Sequence, residues 1–132
     1  MVAQAATTRS ELVRRLTLNW ICDDYENLAV SIEMPVIRDG GACGLYIEKE
    51  EIARALSELV ELGLAKAYRM GGSNLGPPGE MDRMPSLAEM EDPDGAWFYR
   101  TDAGLKVQLE PWEPWPFDDD NVLRKDWKPP ED

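Results

Sequence analysis

The sequence predicts a single α+β domain that is mainly helical, with three helices, a two-stranded β-hairpin, a closing helix and an extended tail. Three observations predict this class. Apolar residues recur at helical spacing over 8–62, two short later segments are rich in strand-forming residues, and prolines and tryptophans dominate from residue 111 onward. A chain of 132 residues with 43% hydrophobic residues has the size and composition of one domain with its own core.

The first two helices are predicted within residues 8–34. Thr8 and Glu11 have the spacing of a capping box, in which each side chain binds a free backbone N–H of the first turn. Asp23 and Glu26 repeat this spacing and predict the start of the second helix. Pro35 disfavours the helical conformation of the residue before it, so this helix should end at residue 34. The glycine-rich stretch 38–44 that follows is predicted to be a loop.

The third helix, over residues 48–62, has the clearest amphipathic pattern in the chain. One face is an apolar stripe, formed by Ile52, Leu56, Leu59 and Val60. The opposite face is charged and carries Glu51, Arg54, Glu58 and Glu61. Gly63 stands where a helix commonly ends in a left-handed residue, so a short turn should lead directly into the first strand.

A β-hairpin is predicted over 64–100, with strands at Leu64–Met70 and Ala96–Arg100. Its tip, residues 71–95, contains nine glycine or proline residues, and so long a connection is unusual inside a compact domain. Ser86 begins a capping-box pattern that predicts one short helix within the tip.

The last helix is predicted over 101–110, with Thr101 as its N-cap and Gly104 as an unfavourable interior residue. Residues 111–132 then form an extended arm, because five prolines prevent regular structure there. The arm carries three tryptophans, Trp112, Trp115 and Trp127. Large aromatic rings either pack back on the domain and enlarge its core or serve as anchors for a partner; the sequence leaves both interpretations open.

Two segments resemble winged-helix regulators. The run from Ile52 to Ala65 is similar to their third helix and its glycine turn into the wing. The run from Trp97 to Leu105, with Tyr99, Thr101 and Gly104, is similar to their second wing strand and following helix. The resemblance covers about residues 10–110 and implies a winged-helix fold for the whole chain, 1–132. It also implies a third helix that enters the DNA major groove and a wing that contacts phosphates. The tip over 71–95 is longer than in that family.

The charge distribution argues against DNA as the partner. The chain carries a net charge of −12, and phosphate binding is driven by lysine and arginine. Three of the four charged residues on the predicted third helix's outer face are acidic, and the tip holds six acidic residues against one arginine. A membrane-spanning segment is not expected either, because no apolar run approaches the ~18 residues that a span requires.

Several catalytic and metal-binding motifs are incomplete. Histidine is absent, so histidine-based triads and the commonest zinc ligand are excluded. The spacing of Cys22 and Cys43 gives no metal motif. Asp118 and Asp120 suggest a calcium loop, but Leu123 replaces the required glycine. The run Gly71–Gly76 lacks the lysine of a phosphate-binding loop. We therefore expect no cofactor, no bound metal and no enzymatic activity, and a cytoplasmic location with two reduced cysteines.

The favoured hypothesis is an interaction module that binds a protein partner or a second copy of itself. The candidate contact residues are Trp112, Trp115, Trp127, Glu58 and Glu61. The alternative is a DNA-binding transcription regulator, in which a dimer gathers scattered arginines into one patch. The candidate DNA-binding residues are Arg14, Arg15, Arg54 and Arg69, together with Arg9. A third hypothesis is a small-molecule sensor with its pocket between the first helix and the arm.

Overall fold

A computed structural model describes residues 8–69 and 79–130, and within them the chain is α+β with an antiparallel sheet. The helices are α1 (Arg9–Asn19), α2 (Glu33–Ala42), α3 (Lys49–Glu61), α4 (Leu87–Glu91) and α5 (Asp102–Leu109); a π-helical turn, Leu28–Ile32, leads into α2. The strands are β1 (Ala65–Arg69), β2 (Gly79–Glu80) and β3 (Ala96–Arg100), in the sheet order β2-β1-β3.

The core lies between the helices and the inner face of the sheet. Helix α1 packs along α3, whose residues Ile52, Leu56 and Leu59 are buried as the apolar stripe predicts. On the sheet, Ala67 lies opposite Phe98, and both side chains are buried against the helices. Burial of this apolar surface is the main favourable term in folding.

Most predicted elements are confirmed. The Thr8 capping box begins α1, and α3 ends at a glycine turn where Gly63 adopts a φ of 77°. β1 and β3 pair as the predicted hairpin, the Ser86 capping box begins α4, and Thr101 caps α5. The strand β2, which pairs with the end of β1, was not predicted, because two residues are too few to show a strand pattern.

The predicted start of the second helix at Asp23 is wrong. Residues before Asn27 run beside β3, where the backbone N–H and C=O of Glu26 both bond to Phe98, at 2.9 and 2.7 Å. Asn27 is the actual N-cap, since its side-chain oxygen accepts hydrogen bonds from the N–H groups of Ala29 and Val30. Pairing with the sheet therefore outweighs the local capping pattern, and the helix begins four residues later.

The predicted end of this helix at residue 34 and the predicted loop at 38–44 are also wrong. Pro35 lies in the first turn of α2, directly after the π-helical turn, and the helix continues to Ala42. A proline is tolerated in a first turn, where its missing N–H is not required. The wider π-helical turn before it changes the hydrogen-bond register at this point. Gly40 is buried and packs against Ile47, so its lack of a side chain allows close packing.

Residues 111–130 contain no helix and lie against the domain. The rings of Trp112, Trp115 and Trp127 are partly buried and pack against the core. The segment is also bonded internally, because the Trp127 indole N–H donates to the Pro114 carbonyl at 2.9 Å. The guanidinium of Arg124 donates to the carbonyls of Glu113 and Trp115 at 2.6 and 2.7 Å. The partial burial of these rings agrees with the interpretation that they pack back on the domain and enlarge its core.

Helix α5 approaches the turn between α3 and β1 closely at Gly104. The Thr101 hydroxyl donates to the Gly63 carbonyl at 2.7 Å, and the Thr101 N–H donates to the Leu64 carbonyl at 3.0 Å. A Cβ at residue 104 would lie 2.0 Å from the backbone oxygen of Leu64. Gly104 is therefore required for packing, although it weakens the helix locally.

We predict that Gly104→Ala lowers the free energy of unfolding by about 1–3 kcal/mol, as overpacking usually does. Gly41→Ala is the matched control, because a Cβ at that helical residue meets no atom within 4 Å. It should raise stability by about 0.5–1 kcal/mol. Urea denaturation measures both, and equal effects of the two substitutions would contradict the close approach.

The buried amide of Asn27 joins three parts of the fold. Its nitrogen donates to the carbonyls of Asp92 and Ala96, at 3.0 and 2.8 Å, while its oxygen caps the π-helical turn. The residue is fully buried, so removal of the amide would leave the N–H groups of Ala29 and Val30 without their cap and take a donor from the Ala96 carbonyl. The Asp92 carbonyl would keep the N–H of Gly95.

We predict that Asn27→Ala destabilises the protein by about 2–4 kcal/mol, because it combines the loss of a helix cap with buried unpaired polar groups. Asn19→Ala serves as the control, since within the described residues the Asn19 side-chain oxygen accepts one hydrogen bond, from Gln108. Thermal and urea denaturation should rank the two variants in this order, and a smaller loss for Asn27→Ala would contradict this role.

Candidate interaction site

The solvent face of α3 meets the arginines of α1. Arg9 donates from Nε and Nη2 to both carboxylate oxygens of Glu51, at 2.7 and 2.9 Å, and also reaches the carbonyl of Tyr46. Arg14 donates from Nη1 to Glu58 at 3.1 Å. These pairs are partly buried, with about 30% of the Arg9 and Glu51 side chains exposed. Two of the acids on this face are thus neutralised within the fold.

The pairing lowers the pKa of the Glu51 carboxyl. The hydrogen bond from Arg9 is the largest cause and the backbone N–H of Glu48 adds to it, while partial burial acts in the opposite direction. The same contact raises the pKa of Arg9. A charge-assisted pair with two parallel bonds also fixes the geometry of both side chains, so α1 and α3 are held in register.

The candidate DNA-binding arginines do not form one patch. Arg14 is paired with Glu58 of α3, and Arg69, at the end of β1, bonds to Glu89 of α4 at 2.8 Å. Arg15 is half-buried and its guanidinium lies 4.7 Å from the centre of the Trp112 ring. Among the described residues, only Arg54 of these four is exposed without an ion pair or ring contact.

Arg15 joins α1 to the first tryptophan of the 111–130 segment. Burial lowers the pKa of its guanidinium, and the nearby carboxylate of Glu110 opposes this effect. Its Nε is buried and has no acceptor within the part of the chain that the structure describes. A cation over an indole ring is attracted by the ring's negative face. Arg15 therefore holds the arm to α1 and is not available on the α3 face.

The candidate contact residues belong to two parts of the chain, α3 and the 111–130 segment. Glu61 is exposed at the end of α3, whereas Glu58 is committed to Arg14. The three tryptophans lie on the 111–130 segment, half-buried against the core. Within the described residues, no hydrogen bond, ion pair or ring contact joins these two groups.

A second charged cluster holds α4 against the sheet and α3. Glu89 accepts hydrogen bonds from Arg83 at 2.6 and 2.7 Å, from Arg69 at 2.8 Å, and from the N–H of Ser86 at 2.9 Å. The Arg83 guanidinium is the largest cause of a strongly lowered pKa at Glu89. Lys49 at the start of α3 pairs with Glu91. The segment around α4 is thus tied to two other elements by charge.

An aromatic cluster covers the outer face of the sheet. Tyr25 stacks on Tyr99 with ring centres 4.7 Å apart, and its edge meets the ring of Tyr68 at 5.0 Å. Tyr25 falls within the helix predicted to start at Asp23, so this contact was not predicted. In β1, Lys66 and Tyr68 alternate with buried alanines and therefore lie on the other face of the sheet. This alternation is the sequence signal that could have indicated that the outer face is covered as well.

Few of the described residues are arranged for metal binding or nucleophilic chemistry. No cluster of three or more acidic, cysteine or histidine residues able to hold a metal occurs among the described residues. Asp118 accepts hydrogen bonds from the N–H groups of Asp120 and Val122, both at 2.9 Å. Cys22 and Cys43 are free and buried, and burial raises the pKa of the Cys43 thiol to about 11. The glycine-rich run 71–76 lies outside the described residues.

Within 8–69 and 79–130, no helix is long and apolar enough to cross a bilayer.

We predict that Glu51→Gln lowers stability at neutral pH by about 0.5–1 kcal/mol, the value expected for a well-aligned, partly exposed pair. Because the folded-state pKa of Glu51 is lowered, its stabilisation is complete above the ordinary glutamate pKa and is lost as the pH falls below it. The difference from wild type should therefore shrink on acidification. Denaturation at several pH values tests this, with Glu61→Gln as a control that should show little difference at any pH.

No protein-family model, curated protein or solved structure matches this chain.

Proposed function

We propose that this chain is a non-enzymatic winged-helix module that binds other proteins, and that DNA is not its partner. The order of elements supports the winged-helix arrangement: helices come first, α3 turns through Gly63 into β1, and β1 pairs with β3 before α5. The 111–130 segment completes the core of this module. Its two free, buried cysteines suit a reducing compartment such as the cytoplasm.

The main support for this proposal is that the arginines near α3 are already bound to other groups of the protein. Winged-helix DNA readers need cations facing phosphates on the third helix and its surroundings. Here Arg9 and Arg14 are paired with acids of α3 itself, and Arg15 is stacked under the arm. Among the described residues, the exposed charges that remain unpaired on α3 are Glu50, Arg54 and Glu61, two acids against one arginine. A polyanion would meet like charge at this face, whereas a protein partner can complement it.

We predict no mobility shift of random duplex DNA at ~50 mM salt with tens of micromolar protein, although non-specific DNA binders reach about 10⁻⁴–10⁻⁶ M even at physiological salt. The double variant Glu58→Lys, Glu61→Lys releases Arg14 and adds two cations on α3. This variant should shift DNA and so demonstrate the sensitivity of the assay. A shift by the wild-type protein would support the DNA-binding regulator instead.

The protein-binding part is tested by a photo-cross-linking amino acid at position 61, introduced in the native host. We expect a discrete cross-linked product, either with a second protein or with a second copy of the chain. Position 119, exposed on the arm, is the matched control and should give none. Equal labelling at both positions, or no product at position 61, would contradict an interaction surface at α3.

A further inference from the structure

A groove separates the outer face of α3 from the α4 segment. Its α3 wall is one helical stripe, since Glu50, Ala53, Arg54 and Ser57 follow the spacing of a single face. Its other wall is apolar and consists of Pro85, Leu87 and Met90. The groove has a volume of about 220 Å³, less than the roughly 300–1,000 Å³ typical of small-molecule pockets. It is the size for one or two side chains of a partner.

The groove is preformed. Lys49 and Glu91 join the ends of its two walls, and the contacts of Glu89 with Arg69 and Arg83 fix α4 to the sheet and to the preceding loop. Walls that are already ordered lose little conformational entropy when a partner binds. Rigid grooves of this kind between helices are used to receive apolar side chains.

The residues at the base of the groove are apolar. Met90 and Ala53 are almost completely buried there, while Leu87 is 39% exposed. Methionine side chains are flexible and polarizable, so they adapt to apolar groups of different shape. An incoming leucine or phenylalanine would cover this exposed apolar surface.

The surrounding charges favour a basic partner. The two charges in the lining, Glu50 and Arg54, have opposite signs. The segment that forms the apolar wall, residues 79–95, carries six acids and one arginine. Among the described residues, Asp82, Asp92 and Asp94 have no ion-pair partner. Excess charge of one sign around a groove attracts partners of the opposite sign and orients them.

We propose that this groove binds a basic segment of a partner protein, which inserts a bulky apolar side chain between α3 and α4 and places its lysines or arginines against the acids of residues 79–95. This proposal rests on the proposed function as a protein-binding module and names its partner's chemistry. Its two requirements, an apolar insertion and a positive charge, can be tested separately.

The first test uses a fluorescein-labelled helical peptide of leucine, lysine and alanine, with binding followed by anisotropy. The same peptide with glutamate in place of each lysine should not bind. Leu87→Ser should weaken binding of the lysine peptide by about tenfold, as expected for loss of an apolar contact in a desolvated pocket. Leu62→Ser is the matched control, because Leu62 is 59% exposed and lies outside the groove.

The second test removes charge in place of apolar surface. The double variant Glu50→Gln, Asp82→Asn should weaken binding about threefold at low salt and reduce its salt dependence. The control, Asp119→Asn with Asp120→Asn, removes the same charge from the arm, where both residues are exposed, and should have less effect. Circular dichroism melting verifies that each variant is folded.

Equal affinities of the Leu87 and Leu62 variants, together with equal effects of the two charge variants, would overturn the groove and indicate attraction by net charge alone. That outcome leaves the wild-type DNA assay and the position-61 cross-link unaffected. A DNA shift by the wild-type protein would instead overturn the proposed function, so the two failures are distinguishable.

Discussion

The fold depends on one buried amide, the side chain of Asn27. It is the point at which the chain leaves the edge of the sheet and begins the second helical segment, and it also holds the turn before β3. Hydrogen bonds in a buried site are costly to leave unmade, so this single residue couples the helical half of the molecule to the sheet. The loop that carries α4 is attached to the same amide through Asp92. The placement of the α4 wall therefore depends on a residue outside the groove.

A second constraint is electrostatic and lies between α1 and α3. Helices α1 and α3 are joined by two arginine–carboxylate pairs, Arg9 with Glu51 and Arg14 with Glu58. Each pair contributes little to stability by itself because it is partly exposed. Their larger effect is on the surface potential, since they use the cations of α1 to balance acids of α3. The net charge of −12 is therefore not relieved by a positive strip at this helix.

The sequence was sufficient for elements whose signals are local and agree with each other. The capping boxes at Thr8 and Ser86, the apolar stripe of α3 and the turn at Gly63 each combine a short pattern with a matching burial requirement. It was insufficient where a distant strand competes with a local pattern. Asp23 and Glu26 have the spacing of a helix start, but Glu26 pairs with Phe98, more than seventy residues away along the chain. The helix end predicted from Pro35 was wrong for a similar reason. A proline is tolerated in the first turn of a helix, so its effect depends on where the helix begins.

The candidate site could likewise be predicted only in part from the sequence. The charged face of α3 followed directly from helical spacing, whereas its pairing with Arg9 and Arg14 requires knowledge of how α1 packs. The groove beside α4 could not be foreseen, since its walls come from segments about thirty residues apart that only the sheet brings together. The arm's tryptophans were ambiguous, because an aromatic residue has the same composition signal whether it faces a core or a partner.

The arrangement around the sheet also limits how copies of this protein can associate. The outer side of β3 is bonded to Glu26 and, through Arg100, to the carbonyl of Ile21, while β2 and Met81 cover the end of β1. An open strand would offer a row of backbone donors and acceptors that templates fibre growth or strand exchange. With these positions already bonded, the hairpin resists such templating. A concentrated solution of the folded protein should therefore be protected from cross-β aggregation by its backbone as well as by its charge.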